Sequence, residues 1–140
     1  MKDYNLDRFI KAQEHNYEIA LEEIRRGKKS THWIWYIFPQ IKGLGFSENS
    51  NYYGISSLDE AREYLNNPIL KDRLFEICNS LLNHRGKDIY SIIGRIDAVK
   101  LKSSMTLFDL VYPQNIFKEI LTEFYQGQLC KNTLKLLNME

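Results

Sequence analysis

The chain has 140 residues, of which 44% are hydrophobic and 26% are charged, and its formal net charge is +1. This length suits one domain with a substantial core, so we expect a single domain over residues 1–140. The near-neutral charge argues against nucleic acid and anionic membranes as partners.

Two further features of the sequence concern the compartment. No apolar run approaches the ~20 residues that cross a bilayer, and no signal-peptide pattern precedes the first amphipathic segment. Cys78 and Cys130 are the only cysteines, and we expect both to be buried, reduced thiols. The sequence therefore predicts a cytoplasmic protein that does not engage a membrane.

The first element is predicted to be an amphipathic helix over residues 6–24. Its apolar side chains recur every three or four residues, and Gly27 can take the left-handed conformation that ends a helix. Gln13 interrupts this apolar stripe, and a buried amide needs hydrogen-bond partners. Two interpretations stay open: Gln13 fixes a neighbouring backbone segment, or it faces a polar pocket. We expect its partners within residues 30–47 or 103–106.

The aromatic segment, residues 30–57, contains both tryptophans of the chain. Six consecutive apolar residues, 33–38, fit either a short helix or a buried strand. We favour a helix, capped by Ser30 or Thr31 and ended by Pro39, because the chain offers no convincing partner strand. Residues 40–56 lack clear periodicity, and a loop of this length is typically functional.

The rest of the chain is predicted to form short helices separated by breaks. Polar residues that cap helices, and glycines or a proline that end them, mark the boundaries. The predicted starts are Ser57, Asn67 with Pro68, Asp88 and Asn115, and the predicted ends are Gly86, Gly94, Pro113 and Gly127. A helix over residues 97–111 is expected to face the core through Leu101, Met105 and Phe108. Strand patterns are nearly absent, so the sequence predicts an all-α fold, a compact array of six to eight short helices.

Motifs of familiar chemistry are missing from the sequence. The three histidines are far apart and lack ligand-like spacing to cysteines or carboxylates, so we expect no metal site. There is no phosphate-binding loop, dinucleotide fingerprint or nucleophile elbow, and we expect no cofactor. Gly43 and Gly45 are better read as a turn than as a phosphate loop.

One polar cluster stands out on the predicted helix over residues 97–111. Asp97, Lys100 and Ser104 recur at i, i+3 and i+7, and Ser103 is adjacent. A cation beside two hydroxyls can hold a phosphate or another anionic group. The alternative is a surface pair between Asp97 and Lys100, with small serines that let helices pack closely.

Aromatic side chains next to polar groups suit a planar ligand, because a flat ring stacks on tryptophan or tyrosine. We assign four residues of the aromatic run to the core: Trp33, Ile34, Ile37 and Phe38. Trp35 and Tyr36 stay candidates for stacking on a ligand.

Two long motifs resemble a known family. Residues 32–40 read His-Trp-x-Trp-x-x-Phe-Pro-Gln, and residues 97–108 read Asp-x-x-Lys-Leu-x-Ser-Ser-Met-Thr-Leu-Phe. With shorter matches along nearly the whole chain, such as Arg8-Phe9 and Ala12-Gln13, they resemble the bacterial domain of unknown function 1810, whose members are sometimes mislabelled calpastatin. The resemblance implies a compact all-helical fold and no settled activity, and nothing in these residues supports the calpastatin label.

A fainter likeness is to the NADAR families, helical proteins linked to NAD and ADP-ribose chemistry. It rests on Ala12 and Gln13 of the first helix, on the tryptophan-containing segment and on a helix resembling residues 64–74. The acidic catalytic residue expected of those families has no clear counterpart here. The likeness therefore implies a ligand class rather than a mechanism.

Our first hypothesis is a pocket for a small, planar, partly anionic ligand, such as a nucleotide or an ADP-ribose-like molecule. The residues expected to bind it are Gln13, Trp35, Tyr36, Gln40, Lys100, Ser103 and Ser104. His32 is the candidate catalytic residue, as a donor or general acid or base, because imidazole changes charge near neutral pH. N-glycosidic or phosphate-ester hydrolysis is the matching reaction class, and binding without turnover fits equally well.

Our second hypothesis is a protein–protein interaction module that docks through the aromatic segment. Geometry separates the two hypotheses. Convergence of His32, Gln40 and Lys100 on one cavity favours the ligand pocket, whereas an exposed, convex aromatic patch favours the docking surface.

Overall fold

The computed structural model describes residues 3–140, so the first two residues of the predicted domain lie outside the described part of the chain. Within it the chain is all-α, as predicted, with nine helices. They are α1 (Asp7–Arg26), α2 (Ile34–Ile37), α3 (Glu48–Tyr52), α4 (Leu58–Asn66), α5 (Pro68–Leu82), α6 (Ile89–Ile93), α7 (Arg95–Val111), α8 (Ile116–Tyr125) and α9 (Lys131–Leu136).

The five longer helices, α1, α4, α5, α7 and α8, build the scaffold; three of the short helices lie between them in sequence, and the fourth, α9, follows α8. α7 packs against α8 and α4, while α5 packs against α1 and α8. The buried apolar side chains form one cluster. At its centre Phe108 of α7 lies 5.3 Å from Tyr64 of α4 and 5.5 Å from Phe117 of α8, measured between ring centroids. α7 is therefore the central helix, and its polar side chains must be accommodated around this core.

Most predicted helix boundaries are confirmed. Gly27 has a φ of 81° and ends α1, with its backbone N–H bonded to the last carbonyls of the helix. Ser57 and Asn67 accept hydrogen bonds from the first amides of α4 and α5. Asp88 and Asn115 cap α6 and α8 in the same way. These boundaries were predictable because each depends on a local side-chain or backbone property.

The predicted cap of the tryptophan-containing helix is wrong. α2 begins after Trp33, and no side chain caps it. The backbone amides of Ser30 and Thr31 donate instead to the carboxylate of Glu23 on α1, at 2.8 and 3.0 Å. The indole Nε1 of Trp33 donates to the same carboxylate at 2.9 Å. A tertiary contact with α1, and not a local cap, therefore fixes the entry into α2.

Residues 40–56, predicted to be a long loop, contain the short helix α3 and return on themselves. Ile41 and Ile55 form an isolated parallel bridge, and the described residues form no sheet. Gly54 permits this return, because a Cβ atom there would lie 2.9 Å from the Cα atom of Lys42. Within the described residues, no helix is long and apolar enough to cross a membrane.

Candidate ligand-binding site

The two long motifs meet on one side of the molecule. The ammonium group of Lys100 on α7 lies 4.5 Å from the centroid of the Trp35 ring on α2. Trp35 is half-buried, and its ring edge would lie 3.3 Å from a Cβ atom on Gly45. A cation over an indole face is attracted by the ring quadrupole. The two motifs therefore share a surface, which we call the Trp35–Lys100 site.

The side chain of a second lysine, Lys29, lies almost fully buried next to this site. Asp97 lies between Lys29 and Lys100, with Nζ–Oδ distances of 2.9 and 3.6 Å. The Lys29 ammonium in turn lies 4.7 Å from the centroid of the Trp33 ring. Two cations around one carboxylate leave a local charge of +1. The structure thus contains the Asp97–Lys100 pair of our alternative interpretation together with the contact to Trp35.

The two serines of the cluster differ in their surroundings. The hydroxyl groups of Ser103 and Thr133 on α9 are 2.6 Å apart, and both residues are buried. Ser104 is fully buried, yet its Oγ has no hydrogen-bond partner among the described residues. Because Ser104 follows Lys100 by four residues, both lie on the same side of α7. Ser103 therefore joins two helices, whereas Ser104 brings an unpaired hydroxyl beneath the Lys100 side of α7.

Gln13 is buried and bonded to the aromatic segment, as predicted. Its Nε2 donates to the backbone oxygen of Tyr36 at 2.8 Å and to the Tyr64 hydroxyl at 3.0 Å. Its Oε1 accepts from Arg73 at 3.3 Å. These contacts correspond to the first of our two interpretations, an amide that fixes neighbouring backbone. Its role toward a ligand stays a prediction.

Tyr36 is half-buried, like Trp35, and both its ring and its hydroxyl already have partners. Its ring centroid lies 5.2 Å from that of Tyr53, and its hydroxyl accepts from Asn16 at 2.8 Å. Burial, with the nearby Tyr53, raises the pKa of Tyr36 above its usual value. Tyr36 thus remains a protonated hydroxyl that is already engaged with α1.

His32 and Gln40 lie at the two ends of the tryptophan-containing run and differ in exposure. His32 is exposed, and its imidazole makes no hydrogen bond or ion pair within the described part of the chain. Gln40 is buried, and its Nε2 donates to the backbone oxygen of Phe38 at 3.3 Å. No hydrogen bond among residues 3–140 joins either side chain to Lys100. His32, Gln40 and Lys100, which the ligand hypothesis places around one cavity, are therefore not joined by direct hydrogen bonds.

Two large cavities of the molecule lie elsewhere. Their volumes are about 1060 and 860 Å³, and none of the eight predicted site residues lines either one. Among the described residues, no group of three His, Cys, Asp or Glu side chains could hold a metal ion. The Trp35–Lys100 site is thus a surface with an aromatic ring and one partly exposed cation, above the buried Lys29 and Ser104, without any metal-ligand set in residues 3–140.

Sequence reasoning missed the role of Glu23. Burial alone would raise the pKa of Glu23, but hydrogen bonds from Thr31, Ser30 and Trp33 outweigh it and lower the pKa to about 2. No pattern in the sequence marks Glu23, because it lies next to Glu22 and outside the apolar stripe that contains Gln13. Lys29 was also missed, and no pattern distinguishes it from Lys28.

One family model and one solved structure match this chain. The family model described as "Protein of unknown function (DUF1810)" matches residues 3–137. The crystal structure of the conserved hypothetical protein Rv1873 from Mycobacterium tuberculosis is similar, with a TM-score of 0.93 and 40% sequence identity over 98% of this chain and 99% of that chain. No curated protein matches this sequence. The chain therefore belongs to the DUF1810 family, as its two long motifs predicted.

Proposed function

We propose that the chain binds a small, planar, partly anionic ligand, of the nucleotide or ADP-ribose type, between the aromatic segment and α7. The observation that carries the proposal is the contact between Lys100 and the Trp35 ring at 4.5 Å. It places a stacking surface and a cation within the span of one base and its phosphate. Both are features that recognise nucleotides without reading a base sequence.

In this proposal the Trp35 face that Lys100 now covers receives the base. Lys100 is about a quarter exposed and holds Asp97 at 3.6 Å, a long distance for a charge-assisted hydrogen bond. Its ammonium group can therefore move from the ring to a phosphate at little cost. Asp97 keeps Lys29 as its partner when Lys100 moves.

The unpaired hydroxyl of Ser104 supports the same location. A buried hydroxyl without a partner costs about 1–3 kcal/mol. A phosphate or sugar oxygen, or a water that accompanies it, would supply the missing partner beneath Lys100. Ser103 is already bonded to Thr133, so we assign it to holding α9 in place beside the site.

Binding is the core of the proposal, and turnover would add a role for His32. An exposed imidazole can donate or accept a proton near neutral pH. N-glycosidic or phosphate-ester hydrolysis is the corresponding reaction class. Incubation with ADP-ribose and AMP, followed by NMR detection of released base or phosphate, separates binding from turnover.

A thermal-shift screen against nucleotides and ADP-ribose tests the binding. A ligand at 100 times its dissociation constant adds about 2.7 kcal/mol of stability, which raises Tm by several degrees. Lys100→Ala should weaken binding by about tenfold or more, since a hydrogen bond to a charged group contributes about 1.5–3 kcal/mol. Lys28→Ala, at an exposed lysine before α2, is the matched control and should respond like the parent chain.

If no compound in the screen raises Tm, the ligand proposal is rejected and the second candidate function, a protein-docking surface, is favoured. Phe46 favours that candidate, because it is 94% exposed while most aromatic residues of residues 30–57 are buried or half-buried. Phe46→Ser should leave stability and any nucleotide response unchanged. A loss of nucleotide response in this variant would instead place Phe46 in the ligand site.

We also propose the cytoplasm as the compartment. Cys78 and Cys130 are both free and buried, which is typical of proteins in reducing compartments. Burial raises the pKa of the Cys78 thiol, so this cysteine is expected to be unreactive.

A further inference from the structure

The larger cavity is an open groove on the opposite side of α7 from the Trp35–Lys100 site. Its volume is about 1060 Å³, and it lies between the first half of α7, the start of α6 and the turn that joins α8 to α9. Lys102 lines it, two residues after Lys100 and so about 200° away around the helix. We call it the α7–α9 groove, and the proposed ligand-binding function makes no use of it.

The floor of the α7–α9 groove is closed and well ordered by internal contacts. Ala98, Ile89 and Tyr125 are all buried there. The Tyr125 hydroxyl donates to the backbone oxygen of Ala98 at 2.6 Å, which joins α8 to α7 beneath the groove. The floor is therefore apolar and preformed, and a partner would bind it without prior rearrangement.

Apolar side chains along the groove are exposed to solvent. Val99 on the wall is 62% exposed. Tyr90 at the end of the groove is also exposed. A single exposed apolar residue is ordinary, but a group that continues into an apolar groove is typical of a docking surface.

The rim of the groove is positively charged. Lys102 and Lys131 line it, and Arg95 lies over the Tyr90 ring at 5.1 Å. None of these three cations forms an ion pair within residues 3–140. Asp88 is the one carboxylate among the lining residues, and its Oδ1 is engaged by the backbone amide of Tyr90. The free charge at the rim thus complements an acidic partner.

From these observations we infer that the α7–α9 groove binds a partner protein through an amphipathic segment with apolar side chains on one face and Asp or Glu beside them. The apolar side chains would enter the groove over Ala98 and Tyr125, and the carboxylates would pair with Lys102 and Lys131. A protein segment fits better than a small molecule, because the open groove of about 1060 Å³ is as large as the largest small-molecule pockets and has Val99 and Tyr90 exposed along it. Laying an apolar helix face into a groove is a common recognition mode.

A pair of synthetic peptides tests this inference on the full chain. One is a fluorescein-labelled helix with Leu at i, i+3, i+4 and i+7 and Glu beside them, and the other has Lys in place of every Glu. In fluorescence anisotropy the Glu peptide should bind saturably, and the Lys peptide about tenfold more weakly or worse. Lys100→Ala should not change this binding, which separates the groove from the Trp35–Lys100 site.

Matched variants locate the binding. Val99→Asp and Lys102→Glu should each weaken binding of the Glu peptide by about fivefold or more. Val99→Asp places a charge against the apolar face of the peptide, and Lys102→Glu places a carboxylate where the peptide presents its own. Ile19→Asp and Lys28→Glu are the controls, because they make the same changes at exposed positions on or just after α1. In the double variant Lys102→Glu/Lys131→Glu the Lys peptide should now bind better than the Glu peptide. A misfolded variant cannot produce that reversal of preference.

Three results would overturn the inference. One is the absence of saturable binding by the Glu peptide to the parent chain. Another is binding that survives both Val99→Asp and the double charge reversal. The third is saturable binding of dodecanoate in the groove without binding of the peptide, which would assign the groove to a small amphipathic carboxylate.

Discussion

Two charged clusters of this fold, one around Arg8 and one around Lys100, use their hydrogen-bonding groups in opposite ways. Arg8 makes five hydrogen bonds, to four backbone oxygens and to Glu60, and both side chains are almost fully buried. Lys100 makes one long ion pair and lies over an indole ring. Arg8 has no donor left for a ligand, whereas Lys100 has. A buried charge whose hydrogen-bonding groups all have partners stabilises the fold, whereas a charge with unused hydrogen-bond donors remains available for binding.

The largest expected effect comes from breaking the Arg8 cluster. Arg8→Ala would leave the Glu60 carboxylate buried without its cation, which should lower the free energy of unfolding by about 3–5 kcal/mol. Urea denaturation measures this loss. Arg62→Ala is the control, because Arg62 forms an ion pair with Asp59 at 2.7 Å in which both side chains are largely exposed. The comparison fails if the two variants are equally stable.

A smaller effect is expected at Glu23, whose carboxylate is also fully satisfied. Its pKa is about 2 in the folded chain, below its ordinary value of 4.5, so the stabilisation is complete above pH 4.5 and is lost as pH falls toward 2. The loss amounts to about 3 kcal/mol. Glu23→Gln should lower stability at pH 7 by about 1–3 kcal/mol and flatten this pH dependence. An unchanged slope between pH 4.5 and 2 in this variant would exclude Glu23 as its cause.

The smallest effect on stability is expected in the cluster around Lys100. Ser104→Ala removes a buried hydroxyl that has no partner among residues 3–140, so the variant should be as stable as the parent or more stable by up to about 1 kcal/mol. Ser103→Ala is the control and should be destabilised, because Ser103 is bonded to Thr133. Thermal denaturation of the two variants shows which of them is the more stable. A marked loss of stability in Ser104→Ala would mean that this hydroxyl is already satisfied.

The sequence predicted those features of the fold that depend on local residue patterns. The all-α class, the caps at Ser57, Asn67, Asp88 and Asn115 and the burial of Gln13 were predictable, because each depends on local pattern or on one residue in an apolar stripe. The entry into α2 was not, because Glu23 contacts Thr31 and Trp33 across a turn that no periodicity describes.

The candidate site was predictable in the same partial way. That Lys100 and Ser104 share one side of α7 follows from their spacing. Two other contacts were not predictable, because they join elements that are distant in sequence: Ser103 with Thr133 of α9, and Lys29 with Asp97. The bond from Gln40 to the backbone oxygen of Phe38 is local, but it depends on the burial of Gln40, which the sequence does not show. The sequence therefore indicates which polar residues are candidates for binding a ligand. Only the tertiary structure shows which of them already have hydrogen-bond or ion-pair partners within the protein.

Ligand binding at the Trp35–Lys100 site is tested most directly by the two indole N–H signals of the chain in a ¹H–¹⁵N NMR spectrum. Trp33 is buried and donates to Glu23, whereas Trp35 is half-buried beneath Lys100. Trp35→Phe assigns the signals. Titration with AMP and with ADP-ribose should shift the Trp35 signal saturably while the Trp33 signal stays in place, and Lys100→Ala should weaken the response. A Trp35 signal that does not move with either ligand, or a shift confined to Trp33, would contradict binding at the Trp35–Lys100 site.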